Sequence, residues 1–595
     1  MTAYTAPLRD MTFVIKELVG LDEVAALPDY QDLGVSDVAD AILEEAGKFA
    51  AEVLAPLNSD GDQQGARLEN GQVFSSPGFA DAYKKFSEGG WNGLSASPEF
   101  GGQGLPELLN TPTYEMWNAS NMSFALAPLL GAGATECLQH HGSEELKSAY
   151  LPRMISGEWA GTMDLTEPQA GSDLSNVKSK AVPEGEHYRI NGQKIFITWG
   201  DQDMTDNIMH LVLARLPDAP EGVKGISLFL VPKFLVNPDG SLGARNGVTC
   251  VGIEHKLGIH GSATCTLAYE DAVGYLVGKP NQGLMHMFTM MNEARLKVGV
   301  QGLAIAERAY QGALAYAKER VQGYPMKGTR GGSRVTIINH PDVRRMLMTM
   351  KAQIEAMRAF NYTIAKHMDM AGHHPDAAVR QANQVRLELL IPVVKGWCSE
   401  LGIEITSLGI QVFGGMGFVE ETGASQHFRD ARIATIYEGT TGIQAADLAG
   451  RKLVLDKGAA MLNLLADMHA VEEQLDKAGG DDLAVIKAAL GQGIEALNGA
   501  TQWLLSTMAQ DPSSVMAVSV SYLMLVGYVC GGWQMARAAL IAQEKLAAGE
   551  EPDFYEAKLI TARFYAEHVL PKATALLYAV KAGGKSTLAL AEAQF

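Results

Sequence analysis

Three short segments concentrate residue types that can do chemistry. In Ile436-Tyr437-Glu438-Gly439-Thr440-Thr441-Gly442-Ile443-Gln444 a carboxylate stands between apolar neighbours and a glycine. Thr441 and Gln444 have the spacing of a capping box, which predicts a helix start. Apolar surroundings raise a carboxylate's proton affinity, which suits Glu438 to general-base work, and free N–H groups at a helix start favour an anion nearby. In Leu165-Thr166-Glu167-Pro168-Gln169-Ala170-Gly171-Ser172-Asp173 small and hydroxylated residues leave backbone donors accessible. Such a loop can hold a heteroaromatic ring or a phosphate-bearing chain. Gln411-Val412-Phe413-Gly414-Gly415-Met416-Gly417 ends a helical pattern. One glycine there is a helix cap; three in four residues suggest that another molecule approaches the backbone. The run follows a helix rather than a strand, so it is not a dinucleotide-binding βαβ turn. Taken alone, each segment also has a plain structural reading: a glutamate beside a helix start, a Ser-rich turn, a cap.

Two other patterns carry less. Ala579-Val580-Lys581-Ala582-Gly583-Gly584-Lys585-Ser586-Thr587 resembles the end of a phosphate-binding loop, but Ala579 stands where the first glycine is required. The pairs His140/His141 and His373/His374 lack metal-ligand spacing and read as exposed loop histidines, so no metal is expected.

The elements that must position these segments fall into textures. Residues 1–158 read as an N-terminal helical domain; in residues 37–54, Val38, Ile42, Ala46, Phe49 and Val53 recur at helical spacing before Pro56. Residues 159–278 read as a β domain, a mostly antiparallel sheet or small barrel, with a hairpin signal at Asn191-Gly192. Residues 279–472 read as a bundle of four long helices, the third containing Pro392, whose missing N–H predicts a kink. Residues 473–595 form an extra Ala-rich helical domain. The expected fold is mainly α with a central β domain.

Composition bounds the function. The chain has 595 residues, room for about four domains, and 47% apolar residues, enough for a large core. Net charge of −20 opposes nonspecific attraction to nucleic acid or anionic lipid. Five scattered cysteines without C-x-x-C argue for a reducing compartment, and the N-terminus has no presequence pattern, so the cytoplasm is expected. Residues 512–536 carry no charge, but serines and glycines interrupt them, and a buried helix rather than a membrane span is expected.

Taken in order, Thr166-Glu167-Pro168-x-Ala170-Gly171-Ser172-Asp173, Asn191-Gly192-x-Lys194-x-x-Ile197-Thr198, Gln411-Val412-Phe413-Gly414-Gly415-x-Gly417 and Ile436-Tyr437-Glu438-Gly439-Thr440 closely resemble the acyl-CoA dehydrogenase family. Phe100-Gly101-Gly102-Gln103-Gly104 and residues 254–262 fit the same pattern, and the resemblance covers about residues 36–455. It implies bound FAD and oxidation of the Cα–Cβ bond of an acyl-CoA thioester to the trans-2-enoyl-CoA. Removing the weakly acidic α-proton needs a base, a stabilised enolate oxygen and an electron sink. The resemblance makes Glu438 the base and Gly439 part of the substrate site. It implies that Met163, Leu165, Thr166, Gly171 and Ser172 line the isoalloxazine ring, with Ser172 also near the pantetheine arm. Phe196 and Thr198 match a pair that usually reads Trp-x-Thr. Arg320 matches an arginine that reaches the FAD pyrophosphate from a neighbouring subunit, although Val321-Gln322-Gly323-Tyr324 and the longer loop to His340 depart from the pattern. Gln411, Val412, Gly414 and Gly415 would pack on the adenosine half, and Thr440 would contact the nucleotide. Gly442 stands where many relatives have Gln. Asn292 and Arg295 match CoA-binding positions, with Asn292 in place of the usual Asp.

Length and the extra C-terminal helices resemble the longer bacterial members. The resemblance implies a short acyl chain with a thioether at C3, as in 3-(methylthio)propanoyl-CoA formed during dimethylsulfoniopropionate degradation. Met122 and Phe124 are candidate thioether neighbours, or core residues. It also implies electron-transfer flavoprotein as acceptor and a homodimer. A medium- or long-chain acyl-CoA dehydrogenase and an acyl-CoA oxidase remain alternatives. A non-catalytic DNA-binding homologue is opposed by the negative charge and by Glu438.

Overall fold

The computed structural model describes residues 3–325 and 333–595, apart from the side chains of Met290 and Asn292. The chain is mainly helical with a central β region and divides into two compact units. One comprises Glu45–Pro106 and Met116–Lys297, the other Met1–Glu44, Glu107–Glu115 and Val298–Phe595.

The first unit is built on a sheet of seven strands: β1 (Trp159–Asp164), β2 (Lys180–Glu184), β3 (His187–Thr198), β4 (Asn207–Arg215), β5 (Ile226–Pro232), β6 (Val248–Ile253) and β7 (Thr264–Val277). The pairing β7-β3-β2-β4-β5 returns to β7, so the sheet closes into a small barrel; β6 adds to β7, and β1 runs parallel beside β4. Closure removes most unpaired edges. β5 is buried along its whole length and β4 at every residue but Arg215, which is why they read as apolar runs rather than alternating ones.

The hairpin expected at Asn191-Gly192 lies elsewhere. β3 runs unbroken through both residues, and the turn is Gly185-Glu186, between β2 and β3. Gly192 serves a close approach instead: a Cβ there would stand 2.3 Å from the Ser179 hydroxyl. The Asn191 amide nitrogen donates to the Asp271 carboxylate at 2.9 Å, beside a bulge in β7.

The helices used below are α1 (Glu107–His141), α2 (Gly283–Glu319), α3 (Pro341–His373), α4 (Ala377–Phe413), α5 (Thr441–Asp447), α6 (Ala459–Ala478), α7 (Asp481–Met508), α8 (Pro512–Ala547), α9 (Pro552–Phe564) and α10 (Pro571–Ala582). The division between units falls inside α1 and α2. In the helical unit α3 and α4 pack side by side, and α4 continues as a helix through Pro392 rather than breaking there. α2 and α4 cross at glycines: a Cβ on Gly302 would lie 2.3 Å from the Cys398 carbonyl oxygen. Both α8 and Ala377–Phe418 are long and apolar enough to cross a membrane by composition. In α8, 72% of the most apolar window is buried, against α3, α4, α7, α9 and α10.

This unit also holds a buried ion network. Arg358 donates to Glu115 at 2.6 Å and Glu307 at 2.8 Å, and also pairs with Asp10; Lys558 reaches Glu355 at 2.9 Å and Asp10. It ties the N-terminal arm to α1, α2, α3 and α9. The phosphate-loop look-alike follows helix α10 instead of a strand, so its element order is wrong for nucleotide binding.

Candidate active site

Glu438 lies in a turn between a 3-10 segment (Arg432–Thr435) and α5, in the helical unit. Its φ is +54° and that of Gly439 is +87°, two successive left-handed residues. A glutamate in that region costs about 1–2 kcal/mol, which the surroundings must offset. Four contacts do so. The fully buried Lys395 of α4 donates its Nζ–H to the Gly439 carbonyl at 2.6 Å. Gln444 of α5, also fully buried, donates its Nε2–H to the Glu438 carbonyl at 3.0 Å. The Tyr437 hydroxyl donates to the Gln301 Oε1. Burial, then Tyr114 and Glu438, push this phenol well above its ordinary value, so it stays a donor. The Thr441 hydroxyl donates to Glu400 at 2.6 Å.

The helix start differs in detail from the sequence expectation. The N-cap is Thr440, whose hydroxyl accepts from the Ile443 N–H at 3.2 Å, and Thr441 is already helical. Gln444 reaches the Glu438 carbonyl rather than a cap N–H. Thr440 keeps its own hydroxyl hydrogen for another acceptor. Ile436 is 47% exposed, so it does not wall in the carboxylate. Glu438 itself is half-buried.

In the barrel unit, Met163 is the last residue but one of β1, which leads into the loop of residues 165–173. The loop is pinned from beneath. Glu167 is buried and its carboxylate takes Lys194 at 2.8 Å, the Ser179 hydroxyl at 2.7 Å and the Lys178 N–H at 2.7 Å. Burial alone would raise its pKa, but Lys194 and these donors win and hold it at about 2. Burial lowers the pKa of Lys194 below its ordinary value, and the Glu167 carboxylate beside it opposes that shift. Lys194 also donates to the Leu165 carbonyl at 3.0 Å, and the Ile195 N–H to the Thr166 carbonyl at 2.9 Å. β3 thereby joins the loop at the residue before Phe196. Phe196 sits in a bulge where Ile195 and Phe196 face the single Thr266. Its φ is +59° and it is 59% exposed, a strained residue presenting an open ring.

Leu165 and Thr166 are half-buried; Gly171 and Ser172 are exposed. The hydroxyls of Thr166, Ser172 and Thr198 make no side-chain hydrogen bond among the described residues. An exposed aromatic ring, three hydroxyls without side-chain partners and an open backbone are group types that fit a flavin ring.

The other expected residues are placed as follows. Arg320 is exposed at the end of α2, with no ion pair among the described residues. Tyr316, one turn earlier, stacks on Phe413 with centroids 4.5 Å apart, which sets that end of α2 beside the glycine loop. Gln411 is exposed, and Gly414 and Gly415 face open space, while Val412 is turned into the core. Arg295 is buried in α2; the side chain of Asn292 lies outside the described residues, as do residues 326–332 of the loop to His340. Met122 and Phe124 are buried, and Phe124 packs on Phe79, Tyr83 and Phe86, which is core packing. Sequence reasoning missed the supporting roles of Lys194, Lys395 and Gln444. Lysines in otherwise apolar stretches were the available signal.

Family models for the N-terminal, middle and C-terminal domains of acyl-CoA dehydrogenases match residues 36–158, 162–272 and 281–453, and one described as acetyl-CoA dehydrogenase C-terminal like matches residues 464–591. The chain belongs to the acyl-CoA dehydrogenase family and is an FAD-dependent oxidoreductase. It is 48% identical to 3-methylmercaptopropionyl-CoA dehydrogenase of Ruegeria pomeroyi over 96% of this chain and 97% of that one. It is 37% identical to a butyryl-CoA dehydrogenase of Syntrophomonas wolfei over 100% and 99% of the two chains. A solved acyl-CoA dehydrogenase from Bacillus anthracis, complexed with FAD, shares the fold with a TM-score of 0.73 at 22% identity, covering 96% of this chain and 91% of that one.

Proposed function

We propose that this chain dehydrogenates 3-(methylthio)propanoyl-CoA to 3-(methylthio)acryloyl-CoA, with Glu438 as the base. The left-handed, four-point-held turn of Glu438 is the observation that carries the assignment of the base. The Ruegeria relative, similar along nearly the whole chain, supports the substrate. The Glu438 carboxylate takes the α-proton, and its fixed turn keeps the oxygen on one side of the acyl chain. Bound FAD supplies the sink for the hydride that leaves Cβ. Thr166, Ser172, Phe196 and Thr198 would hold its ring, Arg320 would reach its pyrophosphate from the neighbouring subunit, and the Gly414-Gly415 loop would pack on the adenosine half. Arg295 and Asn292 would bind CoA.

Electron-transfer flavoprotein is the proposed acceptor, and a homodimer in the cytoplasm the proposed form. Five cysteines that are all buried free thiols agree with a reducing compartment.

Glu438→Gln should keep FAD and acyl-CoA binding while turnover falls by at least about 10³-fold. Retention of a tenth of the parent rate would remove Glu438 as sole base. A panel of acyl-CoAs scored by flavin bleaching tests the substrate. Sulfur is close in size to a methylene, so packing separates the thioether from C4–C6 chains by about 10–200-fold at most. These should all exceed palmitoyl-CoA in kcat/KM. Palmitoyl-CoA as best substrate would make the chain a long-chain enzyme.

A further inference from the structure

Two successive carbonyls, those of Glu438 and Gly439, point away from any helical ladder because both residues are left-handed. Buried carbonyls need partners, and here each receives a side-chain donor from a different helix. Lys395 comes from the middle of α4 and Gln444 from the first turn and a half of α5. Both side chains are fully buried. The fit leaves no slack: a Cβ on Gly439 would stand 2.6 Å from the Gln444 Nε2. α4 grips the turn a second time, through Glu400 on the Thr441 hydroxyl. A lysine is the costliest donor to bury, and a neutral amide would satisfy a carbonyl. Its use here fixes the turn with a donor anchored in the middle of α4.

From this geometry we infer that Lys395 and Gln444 are positioning residues for the base, an inference that rests on Glu438 being the base. They act on the peptide units that flank Gly439, and through them set the direction in which the Glu438 side chain leaves the backbone. Displacing a catalytic group by about 1 Å costs on the order of 10²-fold in rate. Loosening the clamp therefore lowers kcat while leaving the binding surfaces for FAD and CoA in place.

The test is Lys395→Met, which keeps length and removes the donor, and Gln444→Leu, each compared with the parent as purified holoenzyme. FAD content, the dissociation constant for acyl-CoA and kcat are measured on the same preparations. Lys395→Met should hold FAD content and acyl-CoA affinity within about threefold and lose about 10–100-fold in kcat, and Gln444→Leu about 3–10-fold. A kcat within twofold of the parent in Lys395→Met overturns the inference. So does a loss that tracks equal losses of FAD and substrate affinity, since that is the signature of a general packing defect. If Lys395→Met fails to fold, Gln444→Leu decides on the same criteria. Failure of the base assignment reads differently: Glu438→Gln would stay active, whereas failure of the clamp alone leaves Glu438→Gln inactive and Lys395→Met active.

Discussion

Two fully buried lysines hold the two loops that matter here, and they do so by different means. In the barrel unit Lys194 lies under the loop of residues 165–172 and meets both a carboxylate, Glu167, and a carbonyl, that of Leu165. In the helical unit Lys395 lies under the Glu438 turn and meets the carbonyl of Gly439. The first arrangement is an ion pair, whose loss strands a buried charge. In the second, loss of the donor strands the Gly439 carbonyl, a neutral group. One lysine is therefore expected to govern whether its unit stays folded, and the other how well a folded enzyme works.

Lys194→Met should show the larger effect on stability. Removing one partner of a buried pair costs about 3–5 kcal/mol, and the loss should appear in the chemical denaturation midpoint together with weakened FAD retention. A stability change below about 1 kcal/mol would erase the contrast with Lys395.

Acid titration comes next. The folded pKa of Glu167, about 2, lies below the ordinary carboxylate value of roughly 4.3. Its pairing therefore contributes stability above about pH 4.5, and the contribution, on the order of 2–3 kcal/mol, is lost as pH falls toward 2. Stability measured from pH 5 down to 2.5 should fall more steeply in the parent than in Glu167→Gln. Parallel curves would mean that Glu167 is not the group that titrates.

The smallest effect concerns strain. Phe196 and Glu438 both occupy left-handed backbone, one in each unit. Phe196→Gly should relieve about 1 kcal/mol of strain and raise the melting temperature of the FAD-free protein slightly, while FAD binds less tightly for want of the ring. A lower melting temperature would mean that the exposed ring packs more than its 59% exposure suggests.

Much of this was legible in the sequence. The first long helix of the bundle expected over residues 279–472 is Gly283–Glu319, because its apolar positions repeat at helical spacing over ten turns. β4 and β5 are continuous apolar runs in the sequence and buried strands in the structure. The errors lie where local rules compete. Asn191-Gly192 is a strong hairpin signal by type, yet the chain spends its glycine on contact with Ser179 and turns at Gly185-Glu186. Thr440 and Thr441 are both good caps, and only the geometry chooses Thr440. The supports of the loops were not legible at all. Lys194 meets Glu167 across 27 residues and Lys395 meets Gly439 across 44, and neither periodicity nor propensity carries information over that distance.

Helix α8 has a consequence for how the chain is made. Thirty-six residues long, it is composed like a membrane segment, and part of what covers it, α9 and α10, comes after it in the sequence. During synthesis its apolar surface leaves the ribosome before those helices exist. A chain released between residues 547 and 571 would carry part of that surface uncovered, ready to aggregate or to be mistaken for a membrane-targeting segment. α9 and α10 thus act as a quality mark: only a chain translated through residue 582 completes the cover that α3, α4 and α7 begin.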